Sequence, residues 1–197
     1  MTPSTITAGQ IGKLQELLGA ALRKSNFHSE PIQQVLETQG NPLVVEWIAY
    51  LQKRVDAVSN LIIRHVKVNH TRTPQQVLDA TGRKQYVNVS VVKTMPKGEG
   101  EEADIYFFHL GRYVSDADLE KEYELRGLKP ADPYSLAQVN TDDPAFADTH
   151  PNGTHWKSVN GHWCFASFGH WRGECGVSVR EFDDDWDDSW WFAGVRK

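Results

Sequence analysis

The chain has 197 residues, 40% hydrophobic and 24% charged, with a formal net charge of −5. That composition excludes a fibrous or low-complexity chain and suits a globular protein that buries a core without disulfide or metal staples. No run approaches the ~18 apolar residues that span a bilayer, and two cysteines, Cys164 and Cys175, are too few for a disulfide framework. The opening MTPSTITAGQIGKLQ lacks a charged segment followed by an apolar one, so no secretory leader and a cytoplasmic location are expected. The sequons at Asn69, Asn88 and Asn152 therefore carry no expectation of glycosylation. Residues 1–97 carry a surplus of Lys and Arg, and residues 98–150 a surplus of Asp and Glu. The basic charges are spread along helices, which solvates a surface, whereas a nucleic-acid partner needs a clustered patch.

Residues 1–69 read as a helical module. Thr7 caps a helix with Ile11, Leu14, Leu18, Ala21 and Leu22 on one stripe. Ser29 opens a second, with Pro31 in its first turn and Gly40 as its stop. Asn41-Pro42 starts a long helix expected to run to about Val66. Along it Val44, Ile48, Leu51, Val55, Val58, Ile62 and His65 alternate in steps of four and three, an a/d seam about three heptads long. Such a seam packs on its own preceding helices or joins copies of the chain, so a homo-oligomer through 42–66 is one of two open outcomes.

Residues 70–197 read as a second, α+β domain. Thr73-Pro74 starts a short helix that Gly82 ends. YVNVSVVKTM and ADIYFFHLGRYV read as strands around the loop PKGEGEE. Ser115 caps SDADLEKEYELRG, with Gly127 at its end, and Asp132-Pro133 and Asp143-Pro144 each suit a helical turn. From His155 the pattern is strand and turn. THWKSV and HWCFASF flank Asn160-Gly161, a two-residue hairpin signal. GVSVREF, the acidic loop DDDWDDS and the closing strand WWFAGVRK follow.

Several constellations invite a chemical reading. His150, His155, His162, Cys164, His170 and Cys175 are ligand types, but they lack the tight paired spacing of zinc sites, so no metal is expected. His162 and Cys164 fall on one face of their strand, where Cys164 packs as a small hydrophobe. A Cys-His nucleophile would pair Cys164 or Cys175 with His162 or His170. Nothing in the flanking sequence lowers a thiol pKa, and no nucleophile elbow, phosphate loop or dinucleotide fingerprint occurs. No cofactor is expected. Asp183, Asp184, Asp185, Asp187 and Asp188 are hard oxygen donors, yet the spacing is not that of an EF-hand loop; an exposed acidic turn is expected, and calcium remains open. The tryptophans are more telling. All but Trp47 of the seven lie from Trp156 onward. Trp163, Trp171, Trp186, Trp190 and Trp191 alternate there with small and polar residues, as in a paratope with a rigid aromatic frame.

With its two strands, short helices, THWKSV-NG-HWCFASF hairpin and closing WWFAGVRK strand, residues 85–197 resemble the C-type-lectin-like fold. The nearest branch is that of the variable proteins of diversity-generating retroelements. The segment is also similar to the group containing the formylglycine-generating enzymes. The resemblance implies a helical module followed by a lectin-like domain with a small antiparallel sheet, and a non-catalytic function in binding a ligand, expected to be a protein. In that family adenine-directed mutagenesis turns AAY codons into any NNY codon, while the tryptophan codon, which contains no adenine, is spared. The resemblance thus implies a hypervariable surface of Gly169, His170, Arg172, Gly173, Cys175, Ser178, Arg180, Phe182, Asp183, Asp184, Asp185, Asp187, Asp188 and Ser189. The five C-terminal tryptophans named above would be its scaffold. Glu174 and Glu181 are not NNY-encodable and would stay fixed. The Glu-Pro-Asn and Trp-Asn-Asp signatures of calcium-dependent sugar binding are missing, with His150-Pro151-Asn152 and Trp186-Asp187-Asp188 as partial echoes. The cysteine context of the formylglycine-generating enzymes is missing too. A thiol- or metal-dependent enzyme of that fold, or a nucleic-acid-binding accessory protein, are the alternatives.

Overall fold

Polar caps and apolar spacing decide where the chain coils and where it extends. The computed structural model describes residues 6–171, 173–181 and 185–197, and the chain divides into two compact units, Met1–Lys53 and Arg54–Lys197. In the first, Thr7 and Gln10 form a reciprocal capping box that starts helix α1 (Ala8–Lys24). Helix α2 (Ser29–Leu36) is preceded by His28, whose side chain makes no cap, so Ser29 is its first residue rather than its cap. Helix α3 (Pro42–Ser59) follows. No described residue of α1, α2 or α3 is buried.

The expected continuation of α3 to Val66 is not observed. The chain leaves the helix after Ser59 and enters strand β1 (Ile62–Lys67). A spacing of four, as between Ile62 and Val66, suits both one face of a helix and one face of a strand. An antiparallel ladder from Ile62↔Phe107 to Lys67↔Glu102 resolves that ambiguity in favour of the strand.

Helix α4 (Pro74–Ala80) has its own capping box from Thr73 and Gln76. Strand β2 (Lys84–Val87) is shorter than expected, because the Asn88 side chain accepts from Ser90 N and turns Val89–Val92 into helix α5. Strand β3 (Glu102–His109) ends before Gly111, whose φ of +62° bends the chain. Helix α6 (Asp116–Arg126) runs from the Ser115 cap to a left-handed Gly127. The short strand β4 (Leu128–Pro130) has no signal in the sequence. Helix α7 (Pro133–Asp142) is capped by Asp132, and helix α8 (Phe146–Thr149) completes the helices. Strands β5 (Asn152–Lys157), β6 (Trp163–Trp171), β7 (Glu174–Glu181) and β8 (Trp191–Arg196) close the chain.

The β5–β6 turn is wider than a two-residue hairpin. Lys157 pairs with Trp163, Ser158 N donates to His162 O at 2.8 Å, and Asn160-Gly161 sits inside the loop. His162 is therefore an exposed turn residue that shares no strand face with the buried Cys164.

The architecture is mixed α+β, with eight helices among the described residues and an open eight-stranded sheet. The strands run in the order β1-β3-β8-β5-β6-β7-β2, with β4 also pairing β8. Two pairings are parallel, β2–β7 and β5–β8, so the sheet is larger than the small antiparallel one expected and is mixed. Both faces are covered. Ile105 and Phe107 of β3 enter one core, beside Phe168, Val177 and Val179 and the buried side chains of α4, α5, α7 and α8. Tyr106 and Phe108 enter the other, with Leu119 and Tyr123 of α6, Phe165 and Phe192. This is why β3 reads as an unbroken apolar run rather than an alternation. The first core also holds one fully buried polar pair, where Asn140 Nδ2 donates to Asn152 Oδ1 at 2.8 Å and to Leu136 O. Among the described residues no helix is long and apolar enough to cross a membrane.

Candidate ligand-binding groove

Period-two alternation sorts the β6 and β7 side chains. Ala166, Phe168, Val177 and Val179 turn into the first core. Phe165, Ser167, Gly169 and Trp171 lie on the other face, opposite Arg180, Ser178, Gly176 and Glu174 in register. Phe165 still belongs to the second core. Beyond it the same face offers serine and glycine, so the core runs out and a groove of about 480 Å³ opens. Its floor and walls include Ser167, Ser178, Tyr86, Trp171, Trp186 and Trp190. Arg180, Asp185 and Asp187 stand at its polar margin.

Glycines let the indoles lie close on the sheet. A Cβ at Gly176 would stand 2.5 Å from Trp171 Cε3, and one at Gly169 would stand 3.2 Å from Trp171 Cζ2. A Cβ at Gly153 of β5 would stand 2.7 Å from Trp186 Cζ3. The rings then meet one another. Tyr86 and Trp171 are edge-on at 6.3 Å between centroids, Trp171 and Trp190 lie at 6.3 Å, and Trp190 meets Trp186 edge-on at 5.4 Å.

Trp186 is held at both ends. Its backbone bridges to Val114, and its Nε1 donates to Asp116 Oδ1 at 3.0 Å. Asp116 begins α6 and accepts a second bond, from His155 Nδ1 at 2.5 Å. His155 is fully buried and stacks on Trp163 at 4.6 Å and 10°, while its Nε2 lies 2.8 Å from Glu120 Oε1 as an ion-pair contact without hydrogen-bond alignment. Burial disfavours the imidazolium, but Asp116 and Glu120 outweigh it and hold His155 above its ordinary pKa. The His155 contact in turn holds Glu120 below the usual carboxylate range.

The sequence-derived surface is only partly assembled at the groove. Ser178, Arg180, Asp185 and Asp187 line it, with Trp171, Trp186 and Trp190 as its frame, and Gly169 lies against the Trp171 indole. His170 and Cys175 are cross-strand partners on the opposite face, where Cys175 Sγ lies 3.4 Å from Asp148 Oδ1. Gly173, with φ of +83°, makes the exposed β6–β7 turn. Asp188 and Ser189 form an exposed turn that Asp187 orders by accepting from Ser189 N at 2.9 Å. Arg172, Phe182, Asp183 and Asp184 lie outside the described residues. Two of the expected scaffold tryptophans stand elsewhere: Trp163 covers His155, and Trp191 stacks on His109 at 5.3 Å.

Sequence reasoning missed Tyr86, Ser167 and Gly176. Tyr86 arrives by the parallel β2–β7 pairing, opposite Ser178, which no local pattern announces. Gly176 could have been found as the glycine that opens GVSV within a strand, a mark of close approach.

Of the expected Cys-His pairs, His170 and Cys175 stand opposite each other in the β6–β7 ladder. Cys164 is buried, and burial pushes its thiol pKa up, against what a nucleophile needs. A wider cavity of about 950 Å³ beside His155 carries charges of both signs, among them Glu120, Asp132, Lys157 and Arg196. Among the described residues no group of three or more His, Cys, Asp or Glu is placed to hold a metal ion. No family model matches the chain, and neither a curated protein nor a solved structure matches it.

Proposed function

We propose that the chain is a non-catalytic ligand-binding protein of C-type-lectin-like fold. In this reading it is the variable protein of a diversity-generating retroelement, and it meets a protein ligand through the β6–β7 face and the segment before β8. One observation carries the proposal: the indoles of Trp171 and Trp186 lie on glycines of the sheet, while Ser178, Arg180, Asp185 and Asp187 stand between and around them. A fixed aromatic frame with exchangeable polar neighbours lets side chains vary without refolding the platform. The return of β8 beside β3, with short helices between, supports the lectin-like assignment. The test is to sequence the DNA downstream of the gene. A near-copy of its last hundred or so bases differing only at adenines, beside a reverse-transcriptase gene, supports the reading; absence of both sinks it.

In the same reading the helical module joins copies of the chain. Val44, Ile48, Val55 and Val58 of α3 are each 47–52% exposed and recur at seam spacing, an apolar stripe that a second copy of α3 would cover. The seam ends at Ser59, where the helix does. Light scattering tests this: a mass equal to one chain at micromolar concentration contradicts it.

A further inference from the structure

Taking the groove as the ligand-contacting surface, a premise that rests on the function proposed above, we infer that it accepts a cationic side chain, lysine or arginine, projecting from the partner protein. Aromatic faces carry negative charge density and attract ammonium and guanidinium groups. Here Tyr86, Trp171, Trp190 and Trp186 follow one another along the groove at 6.3, 6.3 and 5.4 Å between centroids. Tyr86 is 39% exposed, and Trp171 and Trp190 are partly so.

Charge points the same way. Asp116, Asp185 and Asp187 face the cavity against Arg180, the cation among its described lining residues. Arg180 is itself engaged, and its guanidinium lies over the Phe165 ring at 5.6 Å, so this aromatic wall already holds one such group. Asp116 is committed to His155 and Trp186, and Asp187 to Ser189. Asp185 is exposed and has neither a hydrogen bond nor an ion pair among the described residues. It stands at the rim as the carboxylate free to meet an arriving cation.

The floor supplies an acceptor. Ser178 is 6% exposed and lines the cavity, and its buried Oγ has no hydrogen-bond partner. A buried hydroxyl left unpaired is costly, and an N–H from the ligand relieves that cost. An acidic side chain would be repelled by Asp185, and a purely apolar one would leave both Asp185 and Ser178 unmatched. A basic one satisfies both while its alkyl stem packs against the indoles.

The test titrates the full chain with n-butylguanidinium, and separately with its neutral isostere n-butylurea, at constant ionic strength. The indole N–H resonances are followed by NMR. The expected result is saturable movement of the Trp171 and Trp190 signals with butylguanidinium and binding of butylurea about tenfold weaker or more. Asp185→Asn and Trp171→Leu should each weaken butylguanidinium about fivefold, with the amide spectrum otherwise preserved. Equal binding of the two probes would make the groove a plain apolar slot and overturn the inference, as would the lack of a saturable shift with either. Such failure beside a diversified downstream repeat would sink only the ligand chemistry. Guanidinium binding without that repeat would leave the ligand chemistry standing and remove the retroelement reading.

Discussion

The helices at the start of the chain and the sheet at its end were built from comparable amounts of apolar sequence but use it oppositely. In α1, α2 and α3 no described residue is buried, and Leu17, Leu36, Val45 and Ile48 are at least half exposed. In the sheet unit, Ile105, Phe107, Phe168, Val177 and Phe192 have no exposure at all. An amphipathic pattern makes a helix form but does not provide the surface it packs on. A strand such as β3, apolar on both faces, needs two layers and finds both within its own unit. The buried apolar surface of the chain therefore lies in the sheet unit, and the helices leave their apolar stripe exposed.

The largest break in this contrast comes from the sheet core. Phe107→Ala should cost about 3–5 kcal/mol, read as a large fall in the urea midpoint, whereas Val44→Ala on α3 should shift the same midpoint hardly at all. Asp116→Ala should come next, at about 2–4 kcal/mol, because it strands Trp186 Nε1 and buried His155 together. A near-wild-type melting temperature for this variant would show that the relay does not hold the groove wall. Gly176→Ala should follow, at about 1–3 kcal/mol, with a displaced Trp171 resonance, since the added methyl meets the indole. A variant with the wild-type Trp171 signal would contradict that packing.

A smaller effect tracks pH. His155 is held above its ordinary 6.5, so the stability it contributes is complete below pH 6.5 and is lost as pH rises through the folded pKa. Glu120 is held below its ordinary 4.5, so its share is present above pH 4.5 and is lost on acidification. This pair should therefore contribute most between pH 4.5 and 6.5, and Glu120→Gln should flatten both limbs of the stability profile; an unchanged profile would refute the coupling. The smallest change in chain stability should come from Ile48→Asp with Val55→Asp, yet these should lower the assembled mass in light scattering. An unaltered mass would take the α3 stripe out of any subunit contact.

Local signals in the sequence located most elements, because caps act over three or four residues. Thr7, Thr73, Ser115 and Asp132 each accept backbone N–H groups at the helix starts they were expected to mark. What failed was decided at a distance. The steps of four from Val58 through Ile62 to Val66 are equally helical and extended, and only pairing with β3 settles them. The same holds at the groove. The crowding of tryptophans near the C-terminus was plain, but which of them share one face depends on strand register. That register puts Trp171 beside Trp190 and sends Trp163 to cover His155. Tyr86 joins them across a parallel ladder to a strand far away in sequence.

The seating of Trp171 on Gly176 and Gly169 also constrains how this surface can evolve or be engineered. The two glycines and the indole behave as one heritable unit: a side chain at Gly176 has room only once the tryptophan has given way to something smaller. Substitutions there should be strongly epistatic, harmful singly and tolerated in combination. A randomised library over this face would therefore waste most of its diversity at Gly176 and recover it at Ser178, Arg180 and Asp185, whose replacements leave the indole seat intact.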